Sequence, residues 1–169
     1  MQKKLRTQRR PLLFLDVDGV ISLFGFPVSE PPNGTFHSID GLPHLLSATA
    51  PRDLQILGGR FDLVWCTGWE ERANEHLPRL LGLPGPLPVV GLAPRPDRRR
   101  AHWKLDAIER HAGRRPLAWI DDAHDDECRG WAAAREAAIA PTLLASTEPA
   151  VGITPRDVEI LLAWAGARA

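Results

Sequence analysis

Leu13-Phe14-Leu15-Asp16-Val17-Asp18-Gly19-Val20 is the stretch on which the fold turns. An apolar run that begins at Leu12 ends in two carboxylates two residues apart, and a glycine follows that lets the chain turn. The short, unbroken apolar pattern of Leu12–Val17 predicts a strand buried on both faces, as in a parallel sheet. Ligands of such sheets bind at the carboxyl ends of the strands, which is where Asp16 and Asp18 fall. Two carboxylates this close repel each other unless a cation or a shared proton relieves them. A hard divalent ion with oxygen ligands, Mg²⁺ above all, would do so. A strand ending in an ordinary polar turn looks the same locally, so the rest of the chain has to decide.

Working outward, apolar runs at Phe61–Cys66, Leu87–Val90, Leu117–Ile120 and Thr142–Leu144 predict further buried strands. Helical stretches at Glu70–Leu81, Ala101–Ala112, Glu127–Ala138 and Pro155–Ala165 lie between or after them. Thr154 before Pro155 supplies an N-cap and a first helical residue for the last of these. Strands alternating with helices of this length predict an α/β fold, a doubly wound parallel sheet with helices on both faces. Residues 20–60 break the rhythm. Pro27, Pro31, Pro32 and Asn33-Gly34 are turn signals, and Asn33-Gly34 before Thr-Phe-His-Ser-Ile predicts a β-hairpin, a small flap over about 20–42. Nothing in the chain is long enough for a large cap.

The 169 residues predict one domain over 11–169 behind a basic tail at 1–10. Hydrophobic residues at 44% and charged residues at 25% exclude a disordered or fibrous chain. The 21 basic and 21 acidic residues cancel, so no global field draws the protein to nucleic acid or membrane. Five of the basic residues (Lys3, Lys4, Arg6, Arg9, Arg10) precede residue 11, however, which leaves the remainder acidic. The tail is either frayed chain or a weak anchor for RNA or another polyanion. The five apolar residues from Pro11 to Leu15 are too few for a signal peptide, and no run is long enough to cross a bilayer. Two cysteines, Cys66 and Cys128, make no disulfide framework, which points to the cytoplasm.

Three more positions carry candidate chemistry. In Val64-Trp65-Cys66-Thr67-Gly68-Trp69-Glu70 a strand ends in a hydroxyl and a glycine ahead of a helix. Thr67 and Gly68 there either form an anion site or simply cap the helix. Lys104, the one lysine outside the tail, falls in the first turn of the helix opening near Ala101, at the active edge of the sheet. It offers a compact positive charge to a phosphate or an aspartate. In Trp119-Ile120-Asp121-Asp122-Ala123-His124-Asp125-Asp126-Glu127, five carboxylates fall within seven residues. Asp121 is the favoured metal ligand and Asp122 its competitor, while Asp125 to Glu127 suit the dipole of the next helix. His124 is either a loop histidine or a substrate contact. Arg95 with Arg98, Arg99 and Arg100 is either a solvated loop or a polyanion-binding rim. The six histidines lack zinc-ligand spacing.

The ordered set Asp16-Val17-Asp18-Gly19, Thr67, Lys104, Asp121-Asp122 resembles the four motifs of the haloacid dehalogenase (HAD) superfamily of phosphohydrolases, over about residues 12–166. The stretches Trp65–Glu70 and Pro141–Thr154 resemble a small branch related to phosphatase domains of RNA-repair proteins. This resemblance implies a Mg²⁺-dependent phosphatase in which Asp16 is the nucleophile and passes through an aspartyl-phosphate. Asp18 would be the general acid and base, and Thr67, Gly68 and Lys104 would hold the phosphoryl oxygens. Asp16, the Asp18 carbonyl and Asp121 or Asp122 would hold Mg²⁺. A flap in place of a cap implies an open site that admits a phosphorylated small molecule, nucleotide or nucleic-acid end, with Phe24, Phe26, Phe36 and His37 as candidates to select it. The rival readings are a catalytically silent scaffold on the same fold and a phospho-accepting receiver module. The receiver carries its acid pair on the first strand and the accepting aspartate on the third, the reverse of the order here. Oligomeric state is not legible.

Overall fold

Alternate residues of Leu12–Leu15 (β1) point to opposite faces of a sheet, and both faces are buried. Leu13 and Leu15 join one apolar cluster, Leu12 and Phe14 the other. This is why the run is continuously apolar. In the computed structural model, which describes residues 9–93 and 101–167, β1 lies between Asp62–Trp65 (β5) and Leu117–Asp121 (β6). With Thr142–Ser146 (β7) they form a four-stranded parallel sheet ordered β5-β1-β6-β7.

Helices cover both faces, as the alternation predicts. Ala50–Gly58 (α1), Arg72–Leu80 (α2) and Pro155–Gly166 (α5) pack on the Leu13/Leu15 face through Leu54, Leu57, Leu77 and Leu161. Leu105–Ala112 (α3) and Asp126–Ala138 (α4) cover the other face through Ile108 and Cys128. Thr154 caps α5 in a reciprocal capping box with Asp157, with Pro155 in its first turn.

The insertion after β1 is a three-stranded antiparallel sheet of Ser22–Leu23 (β2), Gly34–Ile39 (β3) and Leu42–Ser47 (β4), ordered β2-β4-β3. The hairpin turns at Asp40-Gly41, not at Asn33-Gly34. Asp40 and Gly41 both have positive φ (51° and 80°), the conformation a two-residue hairpin loop requires. Gly34 instead begins β3, where a Cβ would sit 2.5 Å from the Leu46 carbonyl oxygen. The flap therefore runs to Ser47 rather than ending at 42.

Three further elements differ from expectation. Leu87–Val90 forms a single bridge, Val89 to Trp65, because Pro86 and Pro88 have no N–H to extend a ladder. α1 occupies part of a region expected to be irregular. Ala101–Lys104 is a 3₁₀ turn leading into α3, so Lys104 ends that turn instead of lying inside an α-helix. The basic residues at 1–8, and Arg95 and Arg98–Arg100, lie outside the described residues.

Candidate active site

The carboxyl ends of β1 and β6 bring the two acidic stretches side by side. The ladder runs one residue past β1, with Asp16 N–H donating to the Ile120 carbonyl at 3.1 Å. The chain then winds tightly, and the N–H groups of Ile21 and Ser22 both donate to the Val17 carbonyl (2.8 and 2.9 Å). This turn holds Asp18 at the rim. Thr147, just past β7, joins the acidic loops by donating its hydroxyl to the Gly19 carbonyl (2.7 Å) and its N–H to the Asp121 carbonyl (3.2 Å).

Lys104 reaches into this edge, only 4% exposed, and donates to Asp16 Oδ2 (2.8 Å) and Asp121 Oδ2 (2.6 Å). The second oxygen of each aspartate accepts a backbone N–H, from Val17 (2.8 Å) and Ala123 (3.0 Å) respectively. Burial, opposed by Lys104 and reinforced by the Asp121 charge, raises the Asp16 carboxyl on balance to about 6. Burial works against the Lys104 charge, but Asp16 and Asp121 outweigh it and hold the ammonium well above the usual lysine range. Asp122 is also raised, by burial and by the neighbouring Asp16 charge.

One carboxylate oxygen from each of Asp16, Asp121 and Asp122 lies within 4.8 Å of the others. Three carboxylates against one ammonium leave a surplus of negative charge, and an all-oxygen donor set suits a hard cation such as Mg²⁺. The residues fit that ion. Room for the third acid is made by Gly19, whose φ is +73° and where a Cβ would fall 2.5 Å from Asp122 Cγ. Gly19→Ala is expected to fold but to lower Mg²⁺ affinity by about 10- to 100-fold, the range typical when a ligand loses its support. Calorimetric titration with Mg²⁺ measures this; unchanged affinity would show that Asp122 does not need that space.

A cleft of about 480 Å³ opens over the cluster, lined by Asp16, Asp18, Gly68, Lys104, Asp121 and Asp122. Its walls are aromatic: Phe24 from the flap, Trp69 and Trp103. A larger groove of about 600 Å³ lies elsewhere, between Arg10, Phe61 and Pro88, but its one carboxylate is Asp62, ion-paired with Arg10 and Arg115. Chemistry, not size, singles out the smaller cleft.

Thr67 is buried and does not line the cleft, although Gly68 beside it does, and its hydroxyl oxygen accepts the Trp69 N–H at 3.3 Å. α2 starts only at Arg72, so Thr67 and Gly68 belong to a turn ahead of the helix and do not cap it. Asp125 caps α4, accepting from Cys128 N–H at 3.1 Å and pairing with His102 at 2.6 Å. His124 packs edge-on against Trp119 and pairs with Ser146 through Nδ1 (2.9 Å). Burial lowers its pKa to about 4, so it is neutral at physiological pH. Cys66 and Cys128 are buried, and burial pushes both thiols up, away from reactivity. Of the flap candidates, Phe24 lines the cleft, while Phe26, Phe36 and His37 do not.

Trp69 was not legible as a site residue. Its indole Nε1–H donates to Asp18 Oδ2 at 2.9 Å, across 51 residues of chain. Burial raises the Asp18 carboxyl above its usual range, and this hydrogen bond works in the opposite direction.

A parallel α/β sheet with acids on two adjacent strand ends, a hydroxyl on a third and a lysine reaching between them defines the haloacid dehalogenase class of fold. Residues 12–158 match the family model described as the HAD domain in Swiss Army Knife RNA repair proteins, and the chain belongs to that family. No curated protein sequence matches it. Among the described residues no helix is long and apolar enough to cross a membrane.

Proposed function

We propose that the chain is a Mg²⁺-dependent phosphatase that hydrolyses a terminal phosphomonoester on a nucleic acid, acting as a single capless domain in the cytoplasm. The observation that carries the chemistry is the buried Asp16 carboxylate, held by Lys104 at 2.8 Å next to Asp121 and Asp122, with Asp18 at the rim of the same cleft. An Asp16 oxygen attacks phosphorus and the bond to the leaving oxygen breaks, while Asp18 gives that oxygen a proton. Asp18 then takes a proton from water, the water oxygen attacks phosphorus, and the bond to Asp16 breaks to release phosphate. Lys104 keeps Asp16 ionised and, with Thr67 and Gly68, faces the charge spread over the equatorial oxygens. Bound by Asp16, Asp121, Asp122 and the Asp18 carbonyl, Mg²⁺ would neutralise charge on the phosphoryl group.

Two features support a nucleic-acid end. The family is described from RNA repair proteins. Phe24, 49% exposed on the flap, offers a ring at the cleft on which a base can stack. The basic tail and Arg98–Arg100 would contact the phosphate backbone. Phosphate release from 5′- and 3′-phosphorylated oligonucleotides, nucleotides and small phosphomonoesters tests this. The expected result is turnover on an oligonucleotide end that EDTA abolishes and Mg²⁺ restores. Metal-independent release would overturn the mechanism, and preference for a small phosphomonoester would overturn the substrate class. A folded, Mg²⁺-binding protein with no turnover on any substrate would favour the scaffold reading.

A further inference from the structure

The general acid of this reading must present one carboxyl oxygen to the leaving group, and the loop after β5 fixes its orientation. Trp69 is buried and its indole N–H donates to Asp18 Oδ2 at 2.9 Å. An indole nitrogen is a donor only, so Oδ2 must accept. That leaves Oδ1, which accepts no hydrogen bond from any described residue, as the oxygen open to a leaving group.

The indole is itself braced on two sides. Its backbone N–H donates to Thr67 Oγ1 at 3.3 Å, which ties it to the turn that presents Gly68 to the cleft. Its ring meets His44 of β4 edge-on, with centroids 4.8 Å apart, and His44 Nδ1 lies 3.0 Å from Ser22 Oγ of β2. Flap, turn and acid are thereby connected through one side chain. We infer that Trp69 is a positioning residue that fixes the orientation of the Asp18 carboxyl, and that the flap residue His44 holds Trp69 in place for that task. This inference rests on the general-acid reading of Asp18 and adds the device that aims it.

Leaving-group dependence separates such a role from a structural one. A nitrophenolate leaves without a proton, whereas an alkoxide, such as a ribose oxygen, needs one. The experiment measures single-turnover release of nitrophenol from nitrophenyl phosphate and of the alcohol from an alkyl phosphate, with enzyme in excess and Mg²⁺ present. The proteins compared are wild type, Trp69→Phe, which keeps a ring against His44 but removes the donor, and Asp18→Asn. Trp69→Phe is expected to slow the alkyl phosphate about 10- to 100-fold, part of the about 10²- to 10⁴-fold that general acid catalysis supplies. Nitrophenyl phosphate should be slowed clearly less, because its leaving group needs no proton. Equal slowing of both substrates, or of neither, would overturn the inference.

Asp18→Asn tests the underlying reading separately. If it shows no leaving-group selectivity, the general-acid assignment fails; if it does and Trp69→Phe does not, only the role of Trp69 fails. His44→Ala, which keeps the indole N–H but removes its brace, is expected to show the same selectivity at smaller amplitude. It decides the matter should Trp69→Phe fail to fold, and uniform slowing by His44→Ala would then overturn the inference.

Discussion

Asp16→Asn is expected to reduce phosphate release by at least about 10³-fold, the scale seen when a covalent nucleophile is removed from a site whose other groups remain. The amide is nearly isosteric, but its one oxygen can accept from either the Val17 N–H or Lys104, each now 2.8 Å from an Asp16 oxygen, and not from both. What it lacks is a nucleophilic oxygen and a charge. The fold should survive, because two contributions oppose each other. Burial alone pushes the Asp16 carboxyl upward, to about 6 with its neighbours included, so removing the charge relieves a desolvation cost. The same change takes one of two carboxylates from Lys104, which keeps Asp121 at 2.6 Å. Phosphate release and a thermal melt of the same preparation check both halves. Unchanged activity in Asp16→Asn would remove the nucleophile assignment outright.

The second large effect lies away from the cleft. Arg135→Ala is expected to cost about 3–5 kcal/mol of stability, the usual consequence of removing one partner from a buried charged network. Arg135 is 2% exposed in α4, and its guanidinium donates to the Gly113 and Arg115 carbonyls (2.6 and 3.1 Å), Thr142 Oγ1 (3.0 Å) and Glu109 Oε2 (3.1 Å). One side chain thus ties α4 to the end of α3, to the segment entering β6 and to the start of β7. For a chain of this size the loss corresponds to a melting temperature lower by roughly 10 °C. Arg135→Met restores apolar volume but not the donors, so it should recover only part of the loss. If methionine were fully tolerated, packing rather than hydrogen bonding would account for the role of this arginine. Below its melting transition either variant should retain the wild-type Mg²⁺ response, since Arg135 is absent from the cleft lining.

The parts of this molecule that were legible in the sequence share a physical cause. β1 and β6 are buried on both faces, so they appear as continuous apolar runs, and their carboxylates mark where the apolar run ends at the site. Lys104 could be placed on the active edge by topology alone, but its contacts with both Asp16 and Asp121 are tertiary. The flap was harder because two dipeptides, Asn33-Gly34 and Asp40-Gly41, carry the same turn chemistry. The choice was settled by pairing that buries Ile39, Leu45 and Leu46, while Phe36 remains exposed. α1 lies among proline-rich turn signals, and Pro51, in its first turn, is a residue that serves helix starts and loops equally well. Trp69 gave no local sign of its role, since its partner Asp18 is 51 residues away and its brace, His44, belongs to the flap.

The single bridge at Val89 bears on how the protein behaves at high concentration. β5 is an outer strand of the parallel sheet, and an open outer strand invites a second molecule to add its own. Here the outward N–H and C=O of Trp65 are already taken, by the Pro88 carbonyl at 2.8 Å and the Val90 N–H at 2.9 Å. On the far side of the covering segment, the N–H and C=O of Leu87 are themselves taken by the Asn74 side chain (2.9 and 2.8 Å) and are closed to a third strand. The irregularity that keeps residues 87–90 from being a strand also makes them a poor template for self-association, so the sheet is capped on this side by a segment that cannot propagate it.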